Sequence, residues 1–355
     1  MKNGTAIDIV YLWVDGNDPS WRRKRHLASL QQGVGRPHDL ALYGNVEGRF
    51  RDNDELRYSL RSLERYFPDH GHIYIVTDDQ CPAWLCPSER LTVIDHRDLI
   101  PVDCLPTFDS ANIESYIHRI PGLSERYFYL NDDVFFGAPV KISDWFWAGG
   151  IYAAWSDEPE VTDGPLHPDA GPLDNACRMS HQWLSARYAD PRYQPIFRTF
   201  AHSPRPMLRS LLFDLERLAP NLFDRVRSTV FRAWDKPTIV SDLVMRWALV
   251  NGKAKIRYYT HVYIASGEVD KVSHLERLLA QLGAIDFFCI NDTTDDAQAD
   301  DPRLGKIRTT LQLMFPTASC LENNGWIHDA PERLRSRAVF TSASRSLPKY
   351  MSSST

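Results

Sequence analysis

"YFYLNDDVFFG", residues 127–137, is the stretch on which the fold turns. A run of aromatic and aliphatic residues that reads as a buried strand is broken by Asn131, Asp132 and Asp133, and resumes as Val134, Phe135 and Phe136. A carboxylate inside an apolar segment costs on the order of several kcal/mol unless a cation or hydrogen-bond donors compensate it. The modest explanation is a cap and an ion pair: Asp132 closes the next turn and Asp133 meets a nearby arginine, the commoner fate of a lone Asp-Asp after a strand. The sharper one is a divalent-metal site at the carboxyl end of a strand, where open α/β sheets place their ligands. What the rest of the chain brings to the same edge decides between them.

Working outward, "IDIVYLWV" (7–14) is a short β-branched apolar run ending at "DGNDP", so it reads as a buried strand and a turn. "RDNDELRYSLRSLERYFPDHG" (51–71) carries a capping signal, Asp52 with Glu55 three residues on, ahead of Leu56, Leu60, Leu63 and Phe67 at helical spacing. "HIYIVTDD" (72–79) and "LTVIDHRDLI" (91–100) are further strands with carboxylates at their ends. "NIESYIHRIPGLSERYFYLNDD" (112–133) repeats the scheme with a helix, a Pro-Gly stop and the opening strand. This alternation predicts an α/β domain around a largely parallel sheet.

After residue 150 the character changes. "SDEPEVTDGPLHPDAGPLD" (156–174) reads as a long loop, helical patterns follow at about 178–189, 207–219 and 239–251, and "IRYYTHVYIA" (256–265) and "IDFFCINDT" (285–293) read as strands. The expected organisation is a first part of the core over 1–150, a loop and helical portion on the acceptor side over 151–255, a return to the core over 256–335 and a Ser-rich frayed tail over 336–355.

At 355 residues and 43% hydrophobic the chain can bury a substantial core. A formal net charge of −5 argues against general nucleic-acid binding, which needs a basic domain. Six scattered cysteines without a CxxC pair predict reduced thiols and no structural zinc. The N-terminal "MKNGTAIDIVYLWVDG" has too short an apolar run, interrupted by Asp8, for a signal peptide or membrane span, so a cytoplasmic location is expected. The amphipathic "LRSLLFDLERL" (208–218) permits membrane-surface contact, although packing on the core is the commoner use of such a helix.

Asp132 and Asp133 have company: Asp15, Asp18, Asp78, Asp79, Asp95 and Asp292 also follow apolar runs, at what would be one edge of a parallel sheet. An edge rich in oxygen donors and poor in His or Cys pairs favours Mg²⁺ or Mn²⁺, with a diphosphate completing the coordination. For Asp18, Asp78 and Asp79, turn or capping roles are the expectation. Arginines would hold the phosphates: Arg57, Arg61 and Arg65 share a helical face of the kind usually paired with Glu, while Arg49 and Arg51 precede the helix start, where anions bind well. His202 in "FAHSPRPM" is the side-chain type suited to take a proton from a hydroxyl, though a lone His is more often structural.

Taken together, the segments resemble the Stealth family, whose members transfer a sugar-1-phosphate from a nucleotide diphosphate sugar to a hydroxyl. Four blocks carry the resemblance: "DIVYLWVDGNDPSW" (8–21), the long stretch from "RFRDNDELRYSLRSLERYF" to "YFYLNDDVFFG" (49–137), "FAHSPRPMLRSLLFDLERLAPNLFDRVRSTVFR" (200–232), and "CIND" with "LQLMFPTASCLE" (289–322). The resemblance implies a GT-A-like core with an added helical portion, and catalysis by His202, Asp133 and Arg232. Asp132 and Asp133 would bind Mg²⁺ (or Mn²⁺) and the diphosphate, with Asn291 and Asp292 near the same centre. His202 would be the general base at the acceptor, and Arg232 would contact phosphate or acceptor. Asp15 would lie beside the nucleotide, and Arg49, Asp52, Glu55, Arg57 and Asn131 would serve substrate binding. Residues 157–190 depart from the family pattern, "MSHQWL" offering His181 and Gln182 where members often carry an Asn-Arg pair. A nucleotide diphosphate sugar, UDP-linked by preference, is the implied donor, a glycan or other hydroxyl the acceptor, and polysaccharide machinery at the inner membrane face a partner. The alternative is a GT-A glycosyltransferase that moves the sugar alone and releases the nucleoside diphosphate.

Overall fold

The computed structural model describes residues 6–33, 40–188, 194–268, 272–298 and 300–323. In chain order the strands are β1 (Asp8–Leu12), β2 (Ile73–Thr77), β3 (Leu91–Asp95), β4 (Arg126–Asn131), β5 (Val134–Phe136), β6 (Phe146–Trp147), β7 (Gly150–Ala153), β8 (Arg205–Leu208), β9 (Ala254–Ile256), β10 (His261–Ala265) and β11 (Phe287–Asn291). The helices are α1 (Pro19–Gln32), α2 (Glu55–Tyr66), α3 (His96–Leu99), α4 (Ser110–Glu114), α5 (Pro172–Arg187), α6 (Arg209–Leu218), α7 (Pro220–Arg227), α8 (Val244–Val250), α9 (Val272–Gln281) and α10 (Pro302–Met314).

The main sheet runs β3-β2-β1-β4-β8, parallel through its first four strands and closed by β8 antiparallel to β4. Every residue of β1 and β2 is buried, and strands covered on both faces read as unbroken apolar runs, which is why the sequence predicts them. Leu12 sits opposite both Val76 and Asn131, so β1, β2 and β4 end together at one edge. There the chain leaves β4 through Asp132-Asp133 and enters β5, which belongs to a second sheet, β10-β11-β5, antiparallel to β11. The Asp-Asp interruption is the passage between two sheets, anchored by the Ile290 N–H donating to the Asp133 carbonyl at 3.0 Å.

Beneath it lies an aromatic cluster, with Phe128 5.5 Å from Phe136 and 5.3 Å from Trp145 between ring centres. α2 lays Leu56, Leu60 and Leu63 into the same core, and Ser59 donates to the Val134 carbonyl at 2.6 Å. The α/β class expected from the sequence is the one found.

Several local expectations change. The helix after residue 51 does not use Asp52 as its cap: Asp54 holds that position with φ of 68°, and Asp52 accepts from the Asp54 N–H at 2.9 Å. Glu55, the first helical residue, folds back to accept from the Asn53 N–H at 2.6 Å, so the expected Asp52–Glu55 capping box does not form. α6 buries Leu211, Leu212 and Leu215 in the core, its packing use. The region read as loop and helices also supplies β8, and α1, α7, α9 and α10 are helices that the sequence reading omitted. The six cysteines are free, as expected. Among the described residues no helix is long and apolar enough to cross a membrane. The tail expectation, and the part of 256–335 beyond residue 323, lie outside the described residues.

Candidate functional site

The ends of β1, β4 and β11, the turn at 46–51, the approach to β8 and the segment 156–162 surround a cavity of about 1000 Å³. Arg49, Glu55, Asn131, Asp132, Asp133, His202, Arg232, Asn291 and Asp292 line it; Asp15, Asp52 and Arg57 do not.

One wall is acidic. Asp133 Oδ2 accepts from the Cys289 thiol at 3.3 Å, while Oδ1 is buried with no hydrogen-bond partner. Loss of hydration raises the Asp133 carboxyl to about 6 and Glu55 to about 8, the latter also repelled by Asp52. Asp132 is driven well above the carboxylate range, first by burial and then by the charges of Asp133, Glu55 and Asp52. Among the described residues no three His, Cys, Asp or Glu side chains already form a ligand set. The bare Asp133 oxygen beside Asp132 is nevertheless what a hard cation requires: anionic oxygens that no protein donor has taken.

Asp292 is different. Its oxygens accept from Arg51, from Ser266 at 2.8 Å and from the Thr294 N–H and hydroxyl at 3.0 and 2.7 Å. Burial opposes its ionisation, but these bonds and the Arg51 charge outweigh it and hold the carboxyl below the usual range. So spent, Asp292 orders Arg51 rather than waiting for a ligand. Asn291 donates to the Tyr263 hydroxyl at 3.2 Å. The Tyr129 hydroxyl lies 2.8 Å from Asn131 Oδ1 and 2.9 Å from the buried Glu114.

The facing wall is basic. Arg49 donates to the Gly44 carbonyl at 2.8 Å, and both Arg49 and Arg232 reach Ser110 Oγ, at 3.5 and 2.5 Å. Burial, then the nearby Arg232 charge, pushes Arg49 down to about 9. Arg232 leans on Asp109 at 3.5 Å. The His202 ring lies tilted against Tyr263 with its centre 5.1 Å away, and neither ring nitrogen has a hydrogen-bond partner among the described residues. Burial, with Arg205 and Arg232 close by, pushes the imidazole down to about 4, so it is neutral near pH 7 with a free lone pair.

The remaining acidic strand ends are satisfied locally. Asp18 caps α1 through the Trp21 N–H, Asp78 takes Lys24 at 2.5 Å, Asp79 takes Arg97 at 2.7 Å, and Asp95 caps α3. Asp15 accepts from the Asn17 N–H at 2.8 Å. Arg57 faces away from the cavity and binds Glu322 at 2.6 Å. His181, from the departing segment, is not in the cavity wall either and meets the Ile196 carbonyl at 2.9 Å. Glu114, Ser110 and Tyr263 line the cavity without having been singled out from sequence. Arg205, which with Arg209 flanks the amphipathic helix and from sequence permits membrane-surface contact, is instead buried at the cavity wall.

The Stealth protein conserved region 1 matches residues 5–33 and conserved region 2 matches residues 49–153. The third and fourth blocks quoted above lie outside both matches. The chain is similar to an exopolysaccharide phosphotransferase of Streptomyces coelicolor, 35% identical over 319 residues, covering 89% of this chain and 33% of that protein. A second from the same organism is 36% identical over 318 residues, covering 89% and 52%. Exopolysaccharide phosphotransferase CpsY of Mycobacterium tuberculosis is 33% identical over 312 residues, covering 87% and 57%. The chain thus spans from a third to somewhat over half of these relatives' own lengths. Among solved structures, the galactosyltransferase LgtC with donor and acceptor sugar analogs aligns at a TM-score of 0.41 and 10% identity, covering 93% of this chain and 99% of that one.

Proposed function

We propose that this chain, a member of the Stealth family through its conserved regions 1 and 2, is a sugar-1-phosphate transferase acting between a nucleotide diphosphate sugar and a glycan hydroxyl. One observation carries the reading. A single cavity sets two carboxylates with an unclaimed oxygen on one wall against three arginines and a neutral histidine on the other.

Phosphoryl transfer asks little covalent chemistry of a protein; it asks for positioning and charge neutralisation. In this proposal Arg49 and Arg232, whose guanidinium groups both donate to Ser110 Oγ, bind diphosphate oxygens. Asp132 and Asp133 would hold Mg²⁺ or Mn²⁺, which when bound neutralises phosphate charge. His202 accepts the proton of the acceptor hydroxyl as that oxygen attacks the β-phosphorus. The new oxygen–phosphorus bond forms as the bond to the bridging oxygen breaks. Its electron pair leaves on the nucleoside monophosphate, and the anomeric carbon–oxygen bond stays intact. Asn131 and Glu55 border the same volume and belong to the substrate shell, whereas Asp15, Asp52 and Arg57 act at one remove, through the turn and helix that carry Arg49 and Arg51. Exopolysaccharide synthesis, in the cytoplasm beside membrane-bound machinery, is the proposed setting; a clean soluble fractionation from cells would count against the membrane association.

The test is a nucleotide-release assay with UDP- and GDP-sugars, Mg²⁺ and a mixed oligosaccharide acceptor, using Asp133→Ala as control. Metal-dependent release of UMP or GMP, absent from the control, is expected. Release of UDP or GDP instead would show that the sugar alone is moved and would sink the phosphotransfer reading.

A further inference from the structure

Among the described residues four arginines are buried: Arg25, Arg61, Arg205 and Arg246. Three of them have a carboxylate at ion-pair distance, Arg25 with Glu47 at 3.0 Å, Arg61 with Glu322 at 2.6 Å and Arg246 with Asp242 at 2.9 Å. Arg205 has none among the described residues. It is 7% exposed, and its guanidinium makes only long contacts, 3.4 Å to the Val240 carbonyl and 3.3 Å to that of Ala201. The charges of Glu114 and Asp242 act on it only from beyond ion-pair distance, and a buried cation that no carboxylate touches is a costly thing to keep; this one borders the cavity. It is also rigidly placed: Arg205 opens β8 and pairs with Tyr129 in the antiparallel register, two residues before Asn131.

We propose that Arg205 is a catalytic residue whose guanidinium receives oxygens of the phosphoryl group being transferred, from the His202 side of the cavity. The assignment rests on the phosphotransfer reading for the identity of the anion, and on a buried, cavity-lining guanidinium with no carboxylate in contact among the described residues for its existence. A planar five-donor fork suits phosphate in a way that a lysine ammonium does not. The placement has a consequence for His202. Burial depresses its ring first, the charges of Arg205 and Arg232 add to that, and Tyr263 lies tilted beside it. Phosphate oxygens on Arg205 would cancel the part that comes from the positive charges and return that part of the basicity to the imidazole.

Inorganic pyrophosphate in the presence of EDTA is a probe that needs neither metal nor turnover. Calorimetric titration of wild type, Arg205→Lys, Arg205→Gln and the exposed control Arg217→Gln, each checked for an intact unfolding midpoint, should give a graded result. Binding is expected to weaken about 3- to 10-fold in R205K and about 10- to 100-fold in R205Q, and to be unchanged in R217Q. A wild-type protein that binds no pyrophosphate, or folded Arg205 variants within twofold of it, overturns the proposal. Should both variants fail to fold, histidine NMR on the wild type decides. Pyrophosphate must move the His202 titration toward neutral pH, and an unmoved titration overturns the proposal. The two readings fail separately. Arg205-dependent pyrophosphate binding with no nucleoside monophosphate released would leave the anion site standing and sink the phosphotransfer reading.

Discussion

Two buried charged regions of the molecule flank helix α2, whose Arg57 and Arg61 reach one and whose Glu55 borders the other, and they are built on opposite rules. At the α2 face turned toward the C-terminal part, Glu322, with its side chain 1% exposed, takes Arg57 Nε at 2.6 Å and Arg61 Nε and Nη2 at 2.6 and 2.8 Å. Further donors from the Ser319 N–H and further acceptors at the Phe315 carbonyl leave nothing over. In the cavity at the start of α2, among the described residues, Asp133 keeps an oxygen with no partner, Arg205 touches no carboxylate, and His202 makes no hydrogen bond through either nitrogen. Charges satisfied inside the protein hold elements together; charges left unsatisfied hold a place for something that arrives. The contrast can be broken by experiment, because mutations should cost stability in the first region and activity in the second.

The largest expected effect is catalytic. His202→Ala should lower the transfer rate by on the order of 10² to 10⁴ while leaving the urea midpoint where it was, since the ring makes no hydrogen bond. A fall of less than tenfold removes His202 from the role of base. Next comes the clamp: Glu322→Gln strips the counter-charge from two arginines and should cost about 3–5 kcal/mol of unfolding free energy. The substrate KM of whatever folded protein remains should be unaltered. Equal urea midpoints for variant and wild type would mean that the ion pairs are ornamental.

A smaller effect separates satisfied from unsatisfied histidines. His118 is buried, its Nε2 lies 2.8 Å from Glu216, and its Nδ1 has no partner. Burial, against the opposing pull of Glu216, pushes it down to about 4. A histidine depressed in the folded state lends its full stabilisation above the unfolded value near 6.5, and that contribution is lost as pH falls toward 4. His118→Gln should therefore flatten the decline in stability between pH 7 and 4.5 by about 2–3 kcal/mol, read from urea unfolding at both pH values. Parallel declines in the two proteins would show that the titrating groups lie elsewhere.

How much of this is legible in the sequence depends on how local the cause is. β1, β2, β4 and β11 are legible because strands buried on both faces must be apolar throughout. α10 is legible too, with Leu304, Ile307, Leu311 and Met314 on one face behind Asp301-Pro302, and the sequence reading missed it. The same Asp-Pro start opens α1, whose buried face is only Trp21, Arg25 and Ala28, so its periodicity is faint. The residue pattern assigns Arg57 to a Glu-paired helical face while the family resemblance implies a substrate contact, and no spacing rule chooses between them because the partner, Glu322, stands 265 positions away. Asp292 was read as a ligand from its strand-end position, but position does not reveal that Ser266, Thr294 and Arg51 converge on it. Arg205 is the extreme case, because what singles it out is the lack of a carboxylate in contact among the described residues, which no pattern of residues announces.

The smallest effect is the sharpest test of the contrast. If Asp133 is kept for a cation and not for the fold, the protein without metal carries the cost of a desolvated, half-satisfied carboxylate. Asp133→Asn keeps the shape and leaves an oxygen for the Cys289 thiol to meet, while removing the charge. Measured in EDTA, the variant should then be as stable as wild type or more stable by about 1 kcal/mol, against the usual direction for a buried substitution. Mg²⁺ should raise the wild-type unfolding midpoint and leave the variant's unmoved, because only a ligand that binds the folded state shifts the equilibrium. A variant destabilised by as much as Glu322→Gln, with no response to Mg²⁺ in either protein, would place Asp133 with the clamp, as a structural carboxylate whose partner is supplied by the fold.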